Sequence, residues 1–383
     1  MLLLINMEKS KQFTLLVKPV SADCNLRCEY CFYIDHMGFY PENKIHRMPL
    51  DVLDKMISSY MSTPQPQYVF GWQGGEPTLM GYDFYRTVIE FQKKYGRNGT
   101  IVSNSIQTNG TLLDDKLASL FAKYKFLAGI SLDGTEEIHN YYRKTHSGTG
   151  TYRQVTTGID ILKKHGVEFN ILSLVTKSNV KKAIEIFRYF TDSGFNYLQF
   201  IPCVEFNKDN ILMPFAIEAE EWGEFLCELF DEWMRYGPEK IYIRGFESIL
   251  AKLVNNSVHQ CNMGGNCCMY FVVEWNGDVF PCDFFVRKEL MLGNVINDSW
   301  DKMSNSLIYQ NFGKQKSMRN NECHICPYLK LCAGDCLKHR IYGLSTRPER
   351  LSHLCEGWKI FFKHSLRRFK KLADKIKKKM PKN

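Results

Sequence analysis

Cys24-Asn25-Leu26-Arg27-Cys28-Glu29-Tyr30-Cys31-Phe32-Tyr33 follows, after Ser21-Ala22-Asp23, a β-branched and apolar run, Phe13–Val20. Three thiolates grouped as C-x3-C-x2-C can hold three corners of a cubane iron–sulfur cluster, whose ligands are normally four cysteines. The fourth iron is then open to a substrate or cofactor. The alternatives for three such cysteines are a structural zinc site or a disulfide cluster.

Outward from this loop, short apolar runs alternate with helical patterns. The runs are Phe13–Val20, Tyr68–Gln73, Thr100–Gln107, Phe126–Leu132, Glu168–Val175 and Tyr197–Pro202. Between them, 3.6-residue periodicity predicts helices near Pro49–Met61, Tyr82–Tyr95, Leu112–Tyr124, Tyr152–His165 and Val180–Ser193. Glycines follow two of these stretches, Gly166 and Gly194, as helix stops. Strands alternating with helices argue for an α/β fold with a parallel sheet. In such folds ligands gather at the C-terminal ends of the strands, where the Cys24 loop lies. Glu218–Tyr236 and Phe246–Asn255 read as further helices, and Tyr270–Trp275 with Asp278–Phe280 as a hairpin turned at Asn276-Gly277.

A chain of 383 residues with 44% apolar content can bury a sizeable core in two or three domains. Fourteen cysteines would suit a disulfide scaffold in a small secreted protein. Here Met1–Ile5 is too short for the apolar core of a signal peptide and runs into Glu8-Lys9-Ser10-Lys11, with Met7 as a second candidate start. No apolar run reaches eighteen residues, so no membrane span is expected, and a cytoplasmic location is. The cysteines then point to metal or redox chemistry.

The net charge of +9 sits in one place. Lys363–Asn383 carries ten Lys/Arg and one acid, Asp374, which leaves the rest of the chain with forty residues of each sign. The pI therefore gives the fold no nucleic-acid role. Phe362, Leu366, Phe369, Ala373, Ile376 and Met380 form a helical stripe with a cationic opposite face. This reads as a solvated terminal helix, dispensable for chemistry, with an anionic membrane surface or ribosomal RNA as alternatives.

From Cys261 onward the chain is dense in cysteine and poor in long periodic elements. Cys261, Cys267 and Cys282 are followed by Cys323, Cys326, Cys332, Cys336 and Cys355. Eight cysteines can fully ligate two cubanes; four-cysteine zinc ribbons, with similar pair spacings, are the rival. Cys227 and Cys203 read as packing, and Cys268 leaves the ligand choice beside Cys267 ambiguous by one residue.

C-x3-C-x2-C resembles the signature of radical S-adenosylmethionine (SAM) enzymes, and Gly74-Gly75-Glu76-Pro77, after the second strand, resembles their GGEP motif. The resemblance implies a partial (β/α)6 barrel in which the open iron chelates SAM. It also implies SAM contacts from Gly74, Gly75 and Glu76, from Ser131 at the end of the fourth strand, and from Arg143, Tyr30 and Val204. The later cysteines resemble the SPASM extension with two auxiliary [4Fe–4S] clusters, making three clusters in all. That resemblance implies a nearer set of Cys261, Cys267, Cys282 and Cys336 and a farther set of Cys323, Cys326, Cys332 and Cys355. Sequence order alone would keep Cys336 with its neighbours. The expected organisation is barrel 12–235, SPASM-type module 236–360 and basic tail 361–383.

Asn276–Val286, with Leu198–Cys203, closely resembles the corresponding segments of anaerobic sulfatase-maturating enzymes. The implied activity is oxidation of a Cys or Ser side chain, within a Cys/Ser-x-Pro-x-Arg segment of a sulfatase, to Cα-formylglycine. Asp283, next to the implied ligand Cys282, is the expected base. The implied partners are the sulfatase and an electron donor such as flavodoxin or ferredoxin, with no nucleic acid and a monomeric state. Another SPASM peptide modification, such as thioether crosslinking, is the alternative enzyme; a zinc-stabilised binding module is the alternative outside catalysis.

Overall fold

The computed structural model describes residues 12–36, 38–42, 45–341 and 347–380. The Met1–Ile5 opening, Met7 and the last three residues of the tail lie outside them. Six strands run in order: β1 (Thr14–Lys18), β2 (Gln67–Trp72), β3 (Ile101–Thr108), β4 (Leu127–Ser131), β5 (Phe169–Val175) and β6 (Tyr197–Pro202). The crossovers are α1 (Leu50–Met61), α2 (Gly81–Tyr95), α3 (Asp115–Lys123), the pair α4 (Glu136–Tyr142) and α5 (Tyr152–His165), and α6 (Ala183–Asp192). Each strand is parallel to its neighbour, with Leu15 opposite Phe70 and Phe70 opposite Asn104. This is a partial (β/α)6 barrel. The short α4 escaped the periodicity reading, because two turns give too few repeats to register.

Local chemistry explains the boundaries. Asp114 caps α3 by accepting from the Leu117 amide, and α5 stops at Gly166 in the left-handed region, φ 69°. Inside the barrel Trp72 is fully buried, and its indole N–H donates to Asn104 Oδ1 at 3.0 Å.

The second half continues the same sheet. After α7 (Ala219–Tyr236), β7 (Tyr242–Ile243) and α8 (Arg244–Asn255) comes the hairpin β8 (Tyr270–Glu274) and β9 (Asp278–Phe280), and then β10 (Gly293–Asn294). Gly277 holds φ +89° in the hairpin turn. The sheet has ten strands in the order β10-β9-β8-β1-β2-β3-β4-β5-β6-β7. β8 runs parallel to β1, from Thr14 opposite Tyr270 to Lys18 opposite Glu274. The expected boundary at 235/236 is thus bridged by a continuous ladder, which carries the Cys282 segment to the mouth of the barrel.

Four short helices follow: α9 (Trp300–Ser304), α10 (Leu307–Gln315), α11 (Asn321–Ile325) and α12 (Leu329–Cys332). The last element, α13 (Cys355–Lys379), crosses the expected 360/361 boundary unbroken and packs along α7 and α8. Phe361, Phe362, Phe369 and Ala373 are buried there, with the Phe369 and Phe230 ring centroids 4.6 Å apart. The predicted apolar stripe is therefore core at Phe362, Phe369 and Ala373 and exposed at Ile376 and Met380, and a truncation near Lys363 removes the buried Phe369 and Ala373. No helix among the described residues is long and apolar enough to cross a membrane.

Candidate active site

The Cys24 loop leaves the C-terminal end of β1 and is clamped from several sides. Arg27 N–H donates to the Lys144 carbonyl at 2.8 Å, and the Leu26 amide donates to Cys24 Sγ at 3.4 Å. Asn109, just past β3, donates to Asn25 Oδ1 at 2.9 Å. Cys203 packs behind the loop with Leu26, Cys28, Tyr30 and Tyr142.

The glycine pair makes its close approach to this loop. A Cβ on Gly75 would sit 2.0 Å from the Asp23 carbonyl oxygen, and one on Gly74, at φ +115°, would sit 2.6 Å from that of Ser21. Gly75 N–H and Glu76 N–H donate to the Ser21 and Asp23 carbonyls, each at 2.8 Å. Glu76 points inward and is fully buried. Its Oε1 accepts from the Thr78 amide and from the Thr78 and Thr108 hydroxyls, and its Oε2 accepts from the Asn109 amide at 2.7 Å. The carboxylate thus braces β2 against the Asn109 turn.

At the end of β4, Ser131 accepts from Gln107 Nε2 at 3.1 Å. Asp133 is a hub that the sequence reading left unassigned. It accepts from Tyr30 Oη at 2.6 Å, from Arg143 Nε at 2.9 Å and from the Leu174 amide at 3.0 Å. Arg143 also lies over the Tyr30 ring, 5.5 Å from its centroid. Val204 is buried just past β6. Ser131 and Val204 thus stand at strand ends, Tyr30 within the cysteine loop and Arg143 at the end of α4, joined to Tyr30 through Asp133.

Asp283, in the 3-10 turn after β9, comes to the same mouth. Its Oδ2 accepts from Tyr33 Oη at 2.6 Å and from Gln73 Nε2 at 3.4 Å, and its Oδ1 is 3.5 Å from Lys18 Nζ. Lys18, fully buried at the end of β1, is also 2.8 Å from Glu274 Oε1 and 4.6 Å from the Tyr33 ring centroid. Burial works against the charge on Lys18, but the two carboxylates outweigh it and raise its pKa. Lys18, Tyr33, Gln73 and Glu274 had no role in the sequence reading. A lysine ending an otherwise apolar strand was the one available signal.

The eight later cysteines fall into two neighbourhoods. Cys282 is fully buried in its surroundings, and its thiol is pushed up by that burial and then by nearby Cys336 and Cys267. Burial and then Cys336, with Cys261 also close, push Cys267 up to about 12. Around the second neighbourhood, burial pushes Cys355 up to about 11, with Cys323 and Cys326 nearby, and Cys332 up to about 12, with Cys355 nearby. Cys336 is thus close enough to Cys261, Cys267 and Cys282 for their charges to act on one another. Cys268 instead donates to the Tyr309 carbonyl at 3.1 Å. Buried Lys316 donates to the Asn262 carbonyl at 2.9 Å and to that of Asp335, beside the first neighbourhood.

The donor chemistry fits iron–sulfur centres. All fourteen cysteines are free thiols. Burial pushes Cys24 up to about 12, with Glu76 adding to the rise, and Cys28 up to about 11 against the pull of Arg143. Such thiols are poor nucleophiles, and a metal's charge is what would make them thiolates. Among the described residues no three His, Cys, Asp or Glu side chains converge as a single ion requires. A cubane does not ask for that convergence, because each cysteine binds a different iron.

A model of the radical SAM superfamily matches residues 19–190, and a model of an iron–sulfur cluster-binding domain, SPASM, matches residues 261–327. The serine-type anaerobic sulfatase-maturating enzyme of Bacteroides thetaiotaomicron is 37% identical over 93% of this chain and 90% of its own length. The cysteine-type enzyme of Clostridium novyi is 34% identical over 96% of this chain and 98% of its own. The solved structure of native anSMEcpe with bound AdoMet superposes with a TM-score of 0.88 at 34% identity, covering 95% of this chain and all of that one. The likeness to these relatives runs along nearly their whole length, and the chain belongs to the anaerobic sulfatase-maturating enzymes of the radical SAM superfamily.

Proposed function

We propose that this chain oxidises a Cys or Ser side chain of a sulfatase to Cα-formylglycine, using three [4Fe–4S] clusters and SAM. The observation that carries the chemistry is Asp283, held by Tyr33 and Lys18 within the barrel mouth beside the Cys24 loop. Cys24, Cys28 and Cys31 would hold the first cluster. The Gly74–Glu76 backbone, Tyr30, Ser131, Arg143 and Val204 would face SAM, and the two later cysteine sets would hold the auxiliary clusters. When bound, these groups supply a 5′-deoxyadenosyl radical and an acceptor for the electron left on the substrate.

The chain's own residues handle the proton and the geometry. Asp283 takes the proton that leaves the substrate as its side chain becomes an aldehyde or thioaldehyde. Lys18 balances the charge of that carboxylate, and Tyr33 and Gln73 fix the orientation of its Oδ2. Asp133 holds Tyr30 and Arg143 in place on the opposite side of the loop. The substrate is read as the Cys/Ser-x-Pro-x-Arg segment of a sulfatase, the reductant as a flavodoxin- or ferredoxin-like protein, and the enzyme as a cytoplasmic monomer.

Anaerobic incubation of the reconstituted enzyme with SAM and two peptides, one bearing Cys and one bearing Ser in that segment, tests the reading. Aldehyde detected by mass, together with 5′-deoxyadenosine, supports it. Production of 5′-deoxyadenosine with neither peptide altered removes it.

A further inference from the structure

Helix α13 carries a row of cations that begins at a cluster-ligand position. Cys355, Lys359, Lys363, Arg367, Lys371, Lys375 and Lys379 follow one another at steps of four residues. On a helix, residues four apart are neighbours, so these side chains form a single ridge inclined by about 26° to the axis. Lys363, Arg367, Lys371 and Lys375 are exposed, and among the described residues none has a carboxylate within ion-pair distance. Lys359 pairs with Glu356 at 2.6 Å beside Cys355. Arg368, off the ridge, is committed to the fold through Asp231 at 2.6 Å and the Phe230 ring.

Like charges four residues apart repel, so a helix stabilised by packing alone gains nothing from this row. Residues 1–362 balance at forty charges of each sign, so the net positive charge lies in the terminal segment, where the ridge holds five of the ten cations. Its opposite face is buried on α7 and α8 as far as Ala373, and beyond it the exposed large apolar side chains are Ile376 and Met380 alone among the described residues, too few for a face that inserts into a membrane surface. No aromatic side chain stands on the ridge as a stacking platform for single-stranded nucleic acid. What distinguishes the ridge is its origin. Lys363 lies about 12 Å along the axis from Cys355.

We infer that the α13 ridge is the docking surface for an acidic one-electron carrier protein, placing that carrier beside the iron–sulfur centre Cys355 helps to hold. The inference rests on the proposed function, in which Cys355 belongs to the farther auxiliary set, and it deepens it by giving the reductant a place to bind. The exchange would be one electron between the carrier and an iron–sulfur centre held by Cys355 and its partners, the donor losing what the acceptor gains, with no bond made or broken. Opposite charge on the carrier would raise the encounter rate and make it fall with ionic strength.

The test compares the full-length, cluster-loaded enzyme with a ridge variant, Lys363→Gln, Arg367→Gln, Lys371→Gln and Lys375→Gln, and with a control variant neutralised at exposed Lys116, Lys123, Lys181 and Lys208. The probe is an acidic flavodoxin, used oxidised for binding and as the hydroquinone for stopped-flow reduction of the clusters. The ridge variant should bind the oxidised flavodoxin and accept electrons from its hydroquinone about tenfold or more slowly or weakly at low salt, with a flattened salt dependence. Iron content and reduction by dithionite should match wild type, and the control variant should stay within about twofold. Unchanged flavodoxin binding and reduction in the ridge variant overturns the inference, as does an equal loss in the control. Loss of binding to phosphatidylserine vesicles or RNA, with flavodoxin unaffected, assigns the ridge to those partners instead. Binding to oxidised flavodoxin needs no cluster, so a failed function reading, seen as missing iron in the Cys323–Cys355 set, is told apart from a failed docking surface.

Discussion

Tyr33 and Asp283 lie 250 residues apart and share a hydrogen bond of 2.6 Å, the phenol donating to Oδ2. One follows the last cysteine of the Cys24 loop by two residues and the other follows Cys282 directly, so the bond ties the two cysteine modules at the mouth of the barrel. Burial, and then the charge of Asp283, push the Tyr33 phenol far above its usual range, which keeps it a donor at any working pH. Tyr33→Phe deletes this bond and leaves the ring in place over Lys18. Hydrogen bonds to charged groups contribute about 1.5–3 kcal/mol, so formylglycine formation should fall by about 10–150-fold with iron content unchanged. Full aldehyde yield from the Phe variant would show that Asp283 needs no orienting donor.

Among the described residues Lys18 is the only cation within ion-pair distance of Glu274 and Asp283, and it is fully buried. Lys18→Met leaves two buried carboxylates without a counter-charge. Breaking a buried pair in this way typically costs about 3–5 kcal/mol, and urea unfolding of the two proteins side by side measures it. A loss below about 1 kcal/mol would mean that the carboxylates are already neutral or reached by water.

The local patterns of this chain are legible in its sequence, and its long-range pairings are not. Asn276-Gly277 marks the hairpin because a two-residue turn needs φ > 0, but no period in the sequence says that Tyr270–Glu274 will lie beside Thr14–Lys18. The stripe through Phe362 and Phe369 predicts an amphipathic helix without naming α7 as its cover. Asp133 sits within the Ser131–Gly134 stretch, yet its role depends on Tyr30 and Arg143 converging on one carboxylate from different elements. Cys336 is a further case: adjacency in sequence groups it with Cys332, while the fold also brings it within charge range of Cys282, 54 positions earlier.

Gly75 is where the barrel tests its tolerance for side chains. A Cβ there would stand 2.0 Å from the Asp23 carbonyl, one residue before Cys24, with backbone rather than a flexible side chain as the obstacle. Gly75→Ala should therefore displace the loop's first ligand. Anaerobic reconstitution should yield about eight irons instead of about twelve, and SAM cleavage should vanish. Twelve irons with normal cleavage would place the strain elsewhere.

His139 gives the fold an acid limit. Burial, and then Arg143, lower its pKa to about 3. The neutral ring is also the form its partners want, with Nδ1 accepting from the Asp133 amide at 3.4 Å and Nε2 3.2 Å from Thr151 Oγ1. The unfolded chain protonates this histidine near pH 6.5, so between there and pH 3 the unfolded state binds the extra proton and stability falls as pH drops. Above pH 6.5 the full contribution is present. The expected loss from this group is about 1.4 kcal/mol between pH 7.5 and pH 5.5. His139→Gln should flatten that part of the profile even if it lowers stability at pH 7.5, and parallel pH profiles for the two proteins would sink the assignment.

Asp283→Asn addresses the chemistry itself. The amide keeps the shape of the side chain and can still accept from Tyr33 through its oxygen, while Lys18 retains Glu274 as its partner at 2.8 Å. Folding and cluster loading should therefore survive, since Cys282 is untouched. What disappears is a group able to take a proton as the substrate side chain is oxidised. Formylglycine should drop by about 10²–10⁴-fold, the usual contribution of a positioned acid or base. Radical generation depends on the Cys24 loop, so 5′-deoxyadenosine should continue to form, and the ratio of deoxyadenosine to aldehyde should rise steeply. Both products can be read from one anaerobic reaction, by chromatography and by mass. A parallel fall in the two would place Asp283 upstream of the radical, in loop geometry, and near-wild-type aldehyde would leave it a buried turn residue with no part in proton transfer.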